Sequence, residues 1–290
     1  MHHFLFFMTS FIWGSSFILM KRATDVFGPM TIGGMRTLGG LLFLWVIMKF
    51  LRKEFLSFKQ YGWSMLTIAC AGNVIPFCIQ PFLIESYGSG FIGMMVGLVP
   101  MFTLLIAKFI FNNKISSIEV AGILMGLICI IGIFSDGLKR SFTVPHLLIA
   151  ILVPLCYAFT NSYTKEKLSH LDPMSIMSTQ LIFATCILNP IAFFNEKPNL
   201  EGDVTTASLS LILLSFFGTG LAGYMFFKMI KLKGAVYTSM VTYVIPIYAL
   251  LIGWLDGENV TFVQIFCVVG IIFSILLTQY SVLKKSKSYG

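Results

Sequence analysis

Apolar residues fall into long charge-free runs that follow one another along the whole chain, separated by short charged or turn-forming stretches. A helix needs about 20 apolar residues to cross a hydrocarbon core about 30 Å thick, and most of these runs are long enough. We therefore expect an all-α membrane protein with ten transmembrane helices. The runs cover residues 4–20, 37–48 (30–48 with Arg36 inside), 60–84, 86–107, 120–135, 141–164, 173–195, 204–227, 234–255 and 259–283.

The composition excludes an ordinary soluble domain, because 57% of residues are hydrophobic and only 11% are charged, against about 25% charged in globular domains. The net charge of +8 does not indicate nucleic acid binding, because the basic residues are spread over short loops. All cysteines lie inside apolar runs without a CxxC or Cys/His cluster, which is typical of packing residues. We expect no metal and no cofactor.

The basic residues of the loops predict the orientation in the membrane. With the N-terminus inside, fourteen of the 20 Lys and Arg residues lie on the cytoplasmic side and five on the outer side, and Arg36 lies within a helix. Because short cytoplasmic loops retain Lys and Arg, both termini are expected in the cytoplasm. The positive charge and the Phe-rich composition favour a bacterial inner membrane.

The two halves of the sequence align at an offset of 144 residues, which indicates an internal repeat. We expect repeats at residues 1–137 and 138–290, each with five helices, so that the second half is inverted in the membrane. Inverted repeats are typical of alternating-access carriers with a substrate site between the halves. The aligned pairs include Trp13 and Tyr157, Lys21 and Lys165, Pro29 and Pro173, Arg36 and Gln180, Gln80 and Tyr224, and Gly90 and Gly234.

Several of these positions carry a family resemblance over essentially the whole chain. They are Trp13-Gly-Ser-Ser16, Lys21, Arg36, Pro100-x-Phe102 before Asn112-Asn113, and its copy Pro246-x-Tyr248 before Gly257-Glu258. At these residues the chain resembles the drug/metabolite transporter superfamily, in particular its EamA-type members. The resemblance implies ten helices in inverted halves and transport of small metabolites, often export of amino acids. The Gly-Glu pair common in that family is present only in the second copy.

Polar and aromatic side chains inside the runs predict a substrate cavity, because polar groups in a bilayer tend to face other helices or water. Such a cavity suits a zwitterion with an apolar side chain or a flat amphipathic metabolite. The same residues also suit hydrogen bonding between helices without substrate contact. The candidate substrate-binding residues are Trp13, Ser16, Phe17, Asn73, Gln80, Met94, Tyr157, Asn161, Tyr224 and Tyr243, and the candidate hinge residues are Pro76, Pro100, Gly220 and Pro246.

Two charged residues are candidates for a role in transport. Arg36 is either an anchor for a substrate carboxylate or a structural partner of carbonyl groups, and Glu85 ends the third run as the carboxylate nearest the expected cavity. Proton-coupled carriers commonly use an acidic residue or a His within the membrane, and no run has an Asp or Glu at its centre. We therefore expect facilitated diffusion or exchange, unless Glu85 carries the proton.

These features favour a secondary transporter for an amino acid or a related amphipathic compound, with export as the expected direction. The alternative carrier imports or exchanges a nucleotide-like or methylated cofactor. A membrane-embedded enzyme is disfavoured because HExxH, GxSxG and intramembrane pairs of aspartates or histidines are absent, and a channel because rings of charge are absent. The expected partners are a small substrate and lipid, and the expected state is a monomer or homodimer.

Overall fold

A computed structural model describes residues 2–87, 89–113, 116–137, 144–255, 261–263, 265–267, 269–274 and 276–277. Over this part the all-α prediction is confirmed, since its regular structure is helical without strands. The helices are α1 His2–Ala23, α2 Pro29–Phe50, α3 Phe58–Tyr87, α4 Ser89–Val96, α5 Val99–Phe109, α6 Ser117–Gly137, α7 Val144–Tyr163 with a π-helical extension Thr164–Leu168, α8 Pro173–Asn195, α9 Val204–Lys233, α10 Ala235–Ser239 and α11 Val241–Leu255. The described residues between 262 and 277 are also helical.

Five helices of the described part are long and apolar enough to cross a bilayer, namely α1, α2, α3, α8 and α9. Both α3 and α9 contain 30 residues, several more than a span needs. The protein is thus a multi-pass membrane protein. Six basic residues used in the orientation argument lie outside the described residues: Lys114, Lys139, Arg140, Lys284, Lys285 and Lys287.

The apolar runs 86–107 and 234–255, each expected to form one helix, are interrupted. The first is divided into α4 and α5, and Pro100 occupies the second position of α5. Proline disfavours helical backbone in the residue before it and has no N–H to donate, which favours a helix start at this point. The second run is divided into α10 and α11 at Met240, where the N–H groups of Met240 and Tyr243 bond to carbonyl groups three residues back.

Two of the long helices contain π-helical stretches at matching positions. Residues Cys70–Val74 of α3 and Leu214–Leu221 of α9 have this conformation, and their first residues are 144 positions apart. A π turn accommodates an extra residue compared with an α turn and occurs frequently at functional sites. The hydrophobic pattern does not mark this feature, because both stretches lie inside continuous charge-free runs.

Helix α2 packs against α3, α8 and α9. Its glycines allow this close approach. A Cβ atom at Gly33 would lie 3.1 Å from the carbonyl oxygen of Phe77, and one at Gly40 would lie 3.2 Å from the backbone nitrogen of Gly220. Small residues at helix contacts let backbones approach closely, which is the main source of association between helices in lipid.

We expect Gly40→Ala to destabilise the protein, because the new methyl group would meet the rigid backbone of α9. Overpacking of this kind costs about 1–3 kcal/mol. Gly62→Ala in α3 is the matched control, since its Cβ would have no neighbour within 4 Å and alanine favours a helix by up to about 1 kcal/mol. Thermal unfolding in detergent should show a lower melting temperature for Gly40→Ala alone. Equal melting temperatures would contradict the close α2–α9 contact.

The contacts between helices are arranged in pairs. Helix α1 packs against α11 and α9. Helix α7, its counterpart in the second half, packs against the corresponding helices of the first half, α5 and α3. In the same way α2 contacts α9 and α8 contacts α3, while α2 and α8 form an extensive contact with each other. Exchanging each helix for the one 144 residues away therefore reproduces this pattern of contacts.

Polar contacts connect α2 and α8 at both of their ends. Lys53, after the end of α2, forms an ion pair with Asp172, the N-cap of α8. At the opposite end, the carboxylate of Glu196 follows α8 and accepts hydrogen bonds from the N–H groups of Met30 (2.9 Å) and Thr31 (2.7 Å) at the start of α2. A carboxylate at a helix N-terminus is favoured by the free N–H groups and by the helix dipole.

The stability of the protein should fall in acid through Asp172. Burial raises the pKa of this carboxyl, but the hydrogen bonds from Lys53, Ser175 and Met174 outweigh burial and the resulting pKa is lowered. A lowered pKa means that the stabilisation is complete above the ordinary value of about 3.9. It is lost as the pH falls through the lower value of the folded state.

We expect Asp172→Ala to lower the free energy of unfolding by about 1 kcal/mol at neutral pH, since it removes an N-cap and a partly exposed ion pair. The difference from the unmodified protein should shrink as the pH falls below about 4. Melting temperatures between pH 7 and pH 3 provide the measurement, with Asp25→Ala at an exposed position as the control. A difference that stays constant with pH would contradict the role of the ionised carboxylate.

Candidate functional site

A cavity of about 100 Å³ lies between the central helices, near the middle of α1, α3 and α9. Helices α2, α4, α5, α7, α8 and α11 also contribute to its wall, so both halves of the sequence line it. Seven of the predicted substrate-binding residues are brought together here, along with Arg36. They are Trp13, Ser16, Phe17, Asn73, Gln80, Tyr157 and Asn161.

Two further predicted substrate-binding residues, Tyr243 and Tyr224, do not line the cavity. Tyr243 is fully buried, but its hydroxyl donates a hydrogen bond of 2.9 Å to the carbonyl oxygen of Ile123, away from the cavity. Tyr224 of α9 is not among the lining residues. Glu85 is exposed near the end of α3 and does not line the cavity either. Three further residues, Gly257, Glu258 and the side chain of Met94, lie outside the described residues.

The π-helical stretches of α3 and α9 form part of the cavity wall. Gly72 and Asn73 belong to the first stretch, and Gly218 and Thr219 belong to the second. The indole Nε1 of Trp13 donates a hydrogen bond of 2.9 Å to the carbonyl oxygen of Gly218. The irregular backbone is therefore located where the lining residues of the two halves meet.

The candidate hinge residues are distributed between these stretches and the divided runs. Pro76 follows the π-helical stretch of α3 by two residues, and Gly220 lies within that of α9. Pro100 is near the start of α5, whereas Pro246 lies inside α11. Three of the four positions, all except Pro246, thus lie at or near a departure from regular α-helix.

Arg36 of α2 is 4% exposed and lines the cavity. Its Nε donates to the hydroxyl oxygen of Thr219 at 3.3 Å, and its guanidinium carbon lies 4.0 Å from the centroid of the Phe77 ring. The Nη1 atom has no hydrogen-bond partner. Among the described lining residues there is no Asp or Glu to balance this charge. A buried guanidinium with a free donor group is suited to binding an anionic group.

Two amide oxygens in the same lining also lack partners. These atoms are Oδ1 of Asn73 and Oε1 of Gln180, and both residues are buried. The amide nitrogen of Gln180 is used, since it donates to the sulfur of Met177 at 3.1 Å. An unpaired buried acceptor costs about 1–3 kcal/mol, so such atoms mark a place where a ligand or water supplies the missing donor.

Sequence reasoning missed several lining residues, including Phe77, Thr160, Gln180 and Thr219. The 144-residue offset contains a signal for two of them, because Gln180 aligns with Arg36 and Thr160 aligns with Ser16. Both members of four aligned pairs line the cavity. The pairs are Trp13 and Tyr157, Ser16 and Thr160, Phe17 and Asn161, and Arg36 and Gln180.

Comparisons with known proteins indicate a transporter. An uncharacterized transporter of Buchnera aphidicola (subspecies Schizaphis graminum) is 26% identical over 84% of this chain and 82% of its own. Protein PagO of Salmonella typhimurium is 24% identical over 94% and 91%. A probable amino-acid metabolite efflux pump of Escherichia coli is 22% identical over 73% and 72%.

A solved crystal structure superimposes with a TM-score of 0.76 at 15% identity, covering 98% of both chains, which shows a shared fold. A sequence model described as the EamA-like transporter family matches residues 1–135 and again residues 145–280. These two matches cover nearly all of the sequence and correspond closely to its two halves. The chain therefore belongs to the EamA-like transporter family.

Proposed function

We propose that this protein is a secondary transporter that works by alternating access, with ten transmembrane helices in two inverted repeats, residues 1–137 and 138–290. The observation that carries the proposal is the cavity lined by both members of four aligned pairs. A site between inverted repeats, near the middle of the membrane, is typical of such carriers. The paired helix contacts support the same arrangement.

The proposed substrate is an amino acid or a related amphipathic compound. Aromatic and apolar side chains dominate the lining, and the few polar groups are buried, a combination typical of sites that bind small organic molecules. Export is the proposed direction, and the name of the Escherichia coli relative supports it. The aromatic lining also suits a nucleotide-like or methylated cofactor, which is the alternative substrate.

The proposed mechanism is facilitated diffusion or exchange. Carriers driven by protons commonly protonate a carboxylate or His within the membrane, and no such residue is among the described lining residues. The proposed location is the inner membrane with both termini in the cytoplasm, as a monomer or homodimer.

Counterflow in liposomes tests the carrier proposal. Vesicles with the purified full chain are loaded with an unlabelled amino acid, diluted, and given the same compound in labelled form at low concentration. An alternating-access carrier accumulates the label transiently, whereas a pore only equilibrates it. Uptake without overshoot for amino acids and for nucleotide-like compounds alike would refute the proposal. Repeating the assay with and without a pH gradient tests coupling, and strict dependence on the gradient would refute passive transport.

A further inference from the structure

We infer that the cavity distinguishes the two charged ends of a zwitterion, with Arg36 binding the carboxylate and the amide oxygens of Asn73 and Gln180 binding the ammonium group. This inference deepens the proposed function and rests on it. It names the substrate class as α-amino acids with an apolar side chain, and it assigns the two charged ends of the substrate to these three residues.

The guanidinium of Arg36 is held in place and is only partly used. Thr219 accepts from Nε, and the ring of Phe77 lies against the guanidinium at 4.0 Å. These contacts restrict the orientation of the group and leave Nη1 without a partner. A carboxylate is the natural counterpart, because guanidinium binds it through strong charge-assisted hydrogen bonds. At a buried position the attraction is stronger than at a surface.

The ammonium end needs acceptors that compensate for the nearby positive charge of Arg36. Asn73 Oδ1 and Gln180 Oε1 are such acceptors, and they are unpartnered and nearly inaccessible, at 3% and 2% residue exposure. A cationic substrate without a carboxylate would leave the charge of Arg36 unneutralised. Its own positive charge would then be repelled strongly by the guanidinium, because the dielectric constant of the site is low. A zwitterion satisfies both kinds of orphaned group at once.

The aligned pair Arg36 and Gln180 gives the cavity its polarity. One is a charged hydrogen-bond donor, and the other is a neutral amide whose Oε1 is a free acceptor. The aligned positions thus provide an anion-binding group in the first half and one acceptor in the second half, while the other acceptor, Asn73, belongs to the first half. The rest of the wall contains groups such as Phe17, Val96 and Ile245, which favour an apolar substrate side chain because they offer no polar partner.

The test measures binding to the purified full chain by isothermal titration, with melting temperature as a second readout. The probes are L-leucine and L-phenylalanine, the amines isopentylamine and phenethylamine that lack the carboxylate, and the acids 4-methylpentanoate and 3-phenylpropanoate that lack the ammonium group. Both amino acids should bind, and the amines and acids should bind at least about tenfold weaker, since a buried polar group is then left unpaired. These comparisons need no variant.

Variants test which residue binds which charged end of the zwitterion. Arg36→Gln should weaken amino acid binding at least about tenfold while leaving the amines unchanged or tighter, so that the preference for the carboxylate disappears. Arg36→Lys should retain part of the preference for the carboxylate. Arg22→Gln is the matched control, because Arg22 is exposed at the end of α1 and its loss should leave all affinities unchanged.

Each outcome separates the inference from the carrier proposal. If neither amino acid binds, if the amines bind as tightly as the amino acids, or if Arg36→Gln keeps the preference, the recognition of a zwitterion is wrong. Counterflow of a nucleotide-like compound would then leave the carrier proposal intact. If the amino acids bind with the expected preferences and no compound shows counterflow, the recognition is right and the transport proposal is wrong.

Discussion

Arg36→Met should make the protein more stable and abolish its transport of amino acids. A buried guanidinium without an ionic partner among the described residues, with Nη1 unpaired, is expensive to keep away from water. Methionine has a similar unbranched length and no charge, and it packs well against aromatic rings such as that of Phe77. Replacement of buried charged groups by apolar ones of similar size is often neutral or stabilising.

We expect a gain of about 1–2 kcal/mol in the free energy of unfolding. The loss of the hydrogen bond from Arg36 to Thr219 reduces this gain. For a chain of this size each kcal/mol shifts the melting temperature by about 2–4 °C. Counterflow of L-leucine should fall at least about a hundredfold, because the carboxylate loses a charged partner. Thermal unfolding in detergent and counterflow on the same preparation provide the two measurements. A lower melting temperature would mean that Arg36 has a mainly structural role.

Asn161→Phe should close the cavity and stop transport without unfolding the protein. Asn161 of α7 lines the cavity, and the residue aligned with it in the first half, Phe17, lines it as well. The fold therefore accepts a phenyl ring at the equivalent position of α1. A second ring would enter the cavity and take up space that the substrate needs, so we expect counterflow of L-leucine to fall at least about a hundredfold, or about 2.7 kcal/mol.

Asn161→Leu is the control for Asn161→Phe, since leucine removes the amide with little change in size. It should reduce counterflow by about tenfold or less, the effect of a lost hydrogen bond. Both variants should elute as monodisperse protein with melting temperatures near that of the unmodified chain. Normal transport by folded Asn161→Phe would show that substrate does not pass through this cavity.

The positions of the helices follow largely from the apolar runs. The run 173–195 coincides with α8, because Asp172 and Pro173 provide an N-cap and a first residue suited to a helix start. The runs 86–107 and 234–255 are interrupted, although their hydrophobicity is continuous. Hydrophobicity indicates which residues suit the interior of the membrane. The path of the backbone depends on proline, on packing and on the turns of neighbouring helices.

The lining of the cavity could be predicted only in part. Trp13, Ser16 and Phe17 were found because they follow helical spacing on one face of α1. Tyr243 has a similar character, but its hydroxyl is satisfied by Ile123 on another helix, and sequence spacing cannot show which neighbour a helix face meets. Gln180 was overlooked as a lining residue because nothing in the sequence around it indicates a cavity. Only its alignment with Arg36 places it near the substrate site.

The π-helical stretches of α3 and α9 provide a means of motion that needs no unwinding. An extra residue in a helical turn can migrate along the helix as backbone hydrogen bonds exchange one at a time. A residue that this extra residue passes rotates about the helix axis by about a quarter turn or more, since a residue occupies about 100°. Asn73 and Thr219 lie within these stretches. Small local rearrangements of the backbone would therefore turn the side chains of Asn73 and Thr219 from one neighbouring helix towards another.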